Sequence, residues 1–90
     1  GDVAETTFTI PEGWSIREMA TYFQEEGYFT AEEFLTAVNT FSTAEYPWLP
    51  TTKPLDGFPR LEGYLFPDTY QLPLDTSIQP ATIIRLMLNR

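Results

Sequence analysis

Chemistry in this 90-residue chain must come from carboxylates, hydroxyls, tyrosines or one lysine, because there is no histidine and no cysteine. Imidazole bases, thiolate nucleophiles, disulfides and zinc-thiolate sites are therefore excluded, and no metal or cofactor is expected. Among the carboxylates, Glu62 stands apart. It lies in RLEGYLFPDTYQL (residues 60–72), beside Leu61, Tyr64, Leu65 and Phe66. An ionised carboxylate among such neighbours would be poorly solvated, which favours the protonated acid. A carboxyl kept protonated near neutral pH can give its proton to a glycosidic oxygen. The competing reading places Glu62 on the polar side of a strand, accepting backbone hydrogen bonds.

The other candidates are weaker. Asp68 could be the second carboxylate of a hydrolase, but Pro67-Asp68-Thr69 also reads as a structural turn in which the Asp side chain bonds backbone amides. Not every glycan cleavage needs two carboxylates. Where a hydroxyl of the sugar attacks, one residue can act as acid and then as base. Glu25-Glu26 and Glu32-Glu33 read as solvated helix faces or first turns. Lys53, in TTKPL, has no glycine-rich phosphate cradle that would make it a pyridoxal-phosphate lysine. Trp14, Tyr64 and Phe66 could stack on sugar rings, or simply be core.

These residues need a frame. The chain is 42% hydrophobic and 16% aromatic, which suits one small folded domain of modest core. A net charge of −8 without a Lys/Arg cluster opposes binding to nucleic acid and to anionic lipid. No apolar run approaches a membrane span and no signal peptide is visible. The start at Gly1-Asp2 reads as an excised fragment from which an anchor could have been removed.

Thr6–Ile10 alternates as a short strand with Phe8 and Ile10 on one face. Ser15-Ile16-Arg17-Glu18 fits a capping box, followed by Ile16, Met19, Ala20 and Phe23 at helical spacing and Gly27 as a stop. Thr30-Ala31-Glu32-Glu33 opens a second helix with Phe34, Leu35 and Val38 on one face. From about Asn39 to Pro59 the prolines indicate a loop, which Trp48-Leu49 is expected to pin to the body. Asp68–Leu72 alternates again, so Tyr70 and Leu72 can pair with the first strand. After Asp75-Thr76-Ser77, a third helix carries Ile83, Ile84, Met87 and Leu88, with Pro80 in its first turn. The chain ends directly after that helix, which suggests truncation. The expected class is α+β, strand–helix–helix–strand with a proline-rich insertion and a C-terminal helix.

The ten residues Leu61–Tyr70 (LEGYLFPDTY) closely resemble the signature of the YceG-like family of endolytic murein transglycosylases. Thr9–Ile16 (TIPEGWSI), followed by Met19-Ala20, resembles the family's lead into its LysM-like subdomain. Phe29–Phe34 (FTAEEF) is similar to the helix start that follows there. The resemblance implies a LysM-like core at residues 5–38 and 67–74, an insertion at 39–66 carrying the catalytic glutamate, and the start of a truncated catalytic domain at 75–90. It implies cleavage of MurNAc–GlcNAc bonds in nascent peptidoglycan, leaving 1,6-anhydro-MurNAc ends, with Glu62 protonating the leaving oxygen and then assisting the C6 hydroxyl. Tyr64, Phe66 and Trp14 would contact substrate, whereas Pro67 and Asp68 form a structural turn. The full-length protein would be membrane-anchored on the extracytoplasmic face of the bacterial cytoplasmic membrane, beside cell-wall synthesis machinery. This piece alone would be soluble and inactive, since the family's later motifs are missing. The alternatives are a non-catalytic LysM-like glycan-binding module and, more weakly, an aminodeoxychorismate lyase, a label sometimes attached to the family.

Overall fold

The computed structural model describes residues 5–73 and 78–89. Their order is β1 (Glu5–Ile10), α1 (Ile16–Glu25), α2 (Ala31–Thr40), β2 (Asp68–Pro73) and α3 (Pro80–Leu88). This is an α+β arrangement of three helices and one antiparallel two-stranded sheet. The segment Asp75-Thr76-Ser77, read as the lead into the last helix, lies outside the described residues.

The strands pair with Phe8 opposite Tyr70 and Thr6 opposite Leu72. Alternation therefore puts Phe8, Ile10, Tyr70 and Leu72 on the buried face. The Phe8 and Tyr70 rings stack at 5.2 Å between centroids, a cross-strand pair of the kind that fixes register. On the other face, the Thr9 and Thr69 hydroxyls bond at 2.9 Å.

Both capping boxes form. Ser15 Oγ accepts from the Glu18 amide while the Glu18 carboxylate accepts from the Ser15 amide, and Thr30 and Glu33 repeat the exchange on α2. The first helix stops at Gly27, whose φ of 82° lies in the left-handed region that favours glycine. There the Gly27 amide donates to the Gln24 carbonyl and the Tyr28 amide to the Phe23 carbonyl, a Schellman closure. The turn presses α1 against α2 around Phe23, which is fully buried. Phe8, Phe34 and Tyr28 surround it with centroids 5.3, 5.0 and 5.7 Å away. Aromatic burial of this density supplies much of the core of so small a fold.

The Thr30 amide, then its hydroxyl, hold the Glu33 carboxyl below its ordinary value of 4.5. A carboxyl depressed by folding stabilises the fold fully above its unfolded value and loses that contribution as pH falls through the lower folded one. Glu33→Gln keeps an oxygen for the cap but cannot titrate. Urea midpoints measured against pH should therefore decline less steeply in acid for this variant than for the wild type.

Two expectations for the middle of the chain are revised. The second helix runs on through Thr40, so Asn39 is helical. Its side chain accepts from the Arg60 amide at 3.0 Å, giving that residue a helical role that loop propensity obscures. Trp48 does not anchor the loop, being 55% exposed, whereas Leu49 is buried. The Tyr46 hydroxyl, bonded to Asn89 Oδ1 at 2.9 Å, and the Arg17 guanidinium, bonded to the Gly57 carbonyl at 3.1 Å, add further ties.

Candidate active site

Residues 59–64 form successive tight turns: the Glu62 amide donates to the Pro59 carbonyl and the Tyr64 amide to the Leu61 carbonyl. Gly63, at φ 89°, supplies the left-handed position that the second turn requires. Glu62 therefore sits on a turn, not on the polar side of a strand.

The three residues Arg60, Leu61 and Glu62 thread between the ends of two helices. Arg60 is only 5% exposed. Its guanidinium donates to the carbonyls of Val38, Phe41 and Pro50. The first two belong to the C-terminal end of α2, whose last turn has no basic residue of its own. A cation there meets both the orphan carbonyls and the negative end of the helix dipole. Leu61 is fully buried in the core. Glu62 turns the opposite way, and its Oε2 accepts the Ile16 amide of α1 at 2.9 Å. The Glu62 carboxyl thus meets the start of one helix while an arginine meets the negative end of another.

The other oxygen, Glu62 Oε1, is buried and has no hydrogen-bond partner among the described residues. No ion pair reaches the carboxyl among the described residues; the salt bridge present, Arg85 with Glu45, is at the surface. A second helix provides an internal comparison. The Ala31 amide at the start of α2 is satisfied by a neutral oxygen, Gln24 Oε1, at 2.7 Å. Satisfying a first-turn amide therefore does not require a carboxyl in this fold. A half-buried carboxyl with one fixed oxygen and one buried oxygen left unsatisfied among the described residues is costly as structure and calls for another explanation.

The remaining sequence candidates do not converge on one patch. Tyr64 is half-buried and lies 6.1 Å from the Trp48 ring. Phe66 is 49% exposed, with its carbonyl held by the Tyr70 hydroxyl at 2.7 Å. Trp14 is half-buried, edge-on to Tyr22 at 5.4 Å. It lines a depression of about 380 Å³ along α1 with Arg17, Thr21 and Tyr22, to which Glu62 does not contribute. Pro67 is half-buried, and Asp68 Oδ1 accepts the Thr69 amide at 2.8 Å. Lys53 is exposed in the loop. Sequence reasoning missed Arg60 and the exposed face of Trp48. An arginine directly before the apolar run that starts at Leu61 was the available signal for the first.

No group of three or more His, Cys, Asp or Glu side chains that could hold a metal ion occurs among the described residues. No helix among them is long and apolar enough to cross a membrane.

A sequence model of the YceG-like family matches residues 1–90. Two proteins of Streptococcus pneumoniae, from strains D39 and R6, both named endolytic murein transglycosylase, are similar to the chain. Each is 42% identical over 86 residues, covering 81% of this chain and 16% of the relative. The chain thus spans about a sixth of the length of these curated relatives. No solved structure matches it.

Proposed function

The chain belongs to the YceG-like family, and we propose that it is a segment of an endolytic peptidoglycan lytic transglycosylase with Glu62 as its general acid. The observation that carries this reading is the Glu62 carboxyl, held by one oxygen and, among the described residues, unsatisfied at the other and unpaired with any cation. The name shared by the pneumococcal relatives supports the substrate class.

In the proposed reaction Glu62 protonates the bridging oxygen as the bond from C1 of MurNAc to that oxygen breaks. The GlcNAc unit leaves with a free hydroxyl. The carboxylate so formed takes the proton of the MurNAc C6 hydroxyl as O6 bonds to C1. One carboxyl is acid and then base, returns to its protonated form, and no water is consumed. Asp68 needs no role in this chemistry. Tyr64, Phe66 and Trp14 are proposed substrate contacts, with Trp48 beside Tyr64 offering a further face for a sugar ring. The strand–helix–helix–strand part is proposed to be LysM-like, at residues 5–38 and 67–74, with residues 39–66 as the insertion that delivers the carboxyl. Action on peptidoglycan would place the whole protein outside the cytoplasm, anchored at the membrane.

The full-length protein digesting purified sacculi in water labelled with heavy oxygen tests the reading. Anhydro-ended products without label are expected. Labelled reducing ends would indicate a hydrolase. Binding to the sacculi without any cleavage would indicate a glycan-binding module.

A further inference from the structure

We propose that α1 is the positioning element for Glu62, acting through the Ile16 amide, so that the strand–helix–helix–strand part serves catalysis as a brace whether or not it binds glycan. This inference rests on Glu62 being the general acid. A glutamate side chain turns about three bonds, and an unrestrained carboxyl spends most of its time away from any one productive geometry. The Ile16 amide fixes one oxygen at 2.9 Å across 46 residues of sequence.

Two features keep that bond in place. The capping box occupies the neighbouring groups: Glu18 Oε1 accepts the Ser15 amide at 2.8 Å and Ser15 Oγ accepts the Glu18 amide at 3.2 Å. The α1 helix thus caps itself with Glu18 and leaves the Ile16 amide to Glu62. Ile16 is itself fully buried, so its amide is anchored by core packing. From the other side, Arg60 fixes the backbone two residues before the carboxyl. Side chain and main chain of the turn are therefore restrained independently, by opposite ends of two different helices.

The amide can be removed without removing the helix. Ile16 is the first residue of α1, where proline is favoured, and Ser15 has the extended conformation (φ −77°, ψ 164°) that a following proline requires. In the full-length enzyme, Ile16→Pro deletes the donor, whereas Ile16→Ala keeps it and leaves the larger cavity. Ile16→Ala loses at least as much packing but keeps the donor, so Ile16→Pro is expected to have a kcat roughly tenfold or more below that of Ile16→Ala, with KM differing less than about twofold between the two. Equal kcat in the two variants, or a loss confined to KM, overturns the proposal. Amide hydrogen exchange at Ile16 provides a second test, independent of whether Ile16→Pro folds. Exchange should be slow in the wild-type full-length protein and roughly tenfold or more faster in Glu62→Ala, by loss of the bond; unchanged exchange overturns it. Glu62→Gln run in parallel separates the two readings. If it abolishes turnover while Ile16→Pro does not, the acid stands and the brace fails; if it leaves turnover intact, the acid assignment itself fails.

Discussion

Glu62→Gln in the full-length protein is expected to lower turnover by roughly 10²–10⁴-fold, the usual share of a general acid, with little change in thermal stability. The second half of that expectation comes from α2. Gln24 already satisfies the first amide of that helix through its side-chain oxygen. A glutamine at position 62 can satisfy Ile16 in the same way, with its NH₂ group taking the place of an Oε1 that has no partner to lose among the described residues. The new NH₂ would itself be unsatisfied, so any cost resembles one already present. What glutamine cannot do is give up a proton to a leaving oxygen. Turnover measured by release of anhydro-ended fragments, alongside a melting curve, checks both halves. Wild-type turnover would remove Glu62 from the chemistry, and loss of folding would make its role structural.

Arg60→Met should produce the largest loss of stability from a polar side chain, about 3–5 kcal/mol. Methionine matches the arginine stem in length and flexibility, so the change isolates the guanidinium. Three carbonyls, of Val38, Phe41 and Pro50, lose a charged donor at a site that is 5% exposed. Hydrogen bonds to charged donors are each worth about 1.5–3 kcal/mol and are not additive within one network. Against the roughly 5–15 kcal/mol typical of whole domains, such a loss leaves little margin. Arg60→Lys should fall between, since a single ammonium cannot reach three divergent acceptors at once. Urea unfolding of the three proteins measures the order directly. A methionine variant within about 1 kcal/mol of wild type would show that the carbonyls find other partners.

How much of this was legible depended on the range of each interaction. Capping boxes are complete within four residues, so Ser15-Glu18 and Thr30-Glu33 marked both helix starts correctly. Gly27 marked a stop for the same reason. Alternation in two short segments sufficed to face Phe8 and Ile10 with Tyr70 and Leu72. Contacts between distant residues left no such trace. Nothing in Asn39 announces that its side chain waits for an amide 21 residues later, and propensity alone read it as loop. Trp48 and Leu49 were both expected to pin the loop, and only Leu49 is buried. For Glu62, the apolar neighbours in sequence singled out the residue but could not reveal its amide partner, which lies 46 residues earlier at the start of α1.

The turn at residues 59–64 has a dynamic consequence. Its arginine closes the end of α2 and its glutamate closes the start of α1, so the turn cannot detach without exposing unsatisfied groups on both helices. Local opening at this point is thereby coupled to the opening of the core, and the segment should exchange its amides as one cooperative unit with the helices it joins. A loop that carries reactive chemistry is commonly among the first parts of a protein to fray. Here the carboxyl would lose its geometry only when the helices themselves come apart, so heat should abolish activity and fold in a single transition.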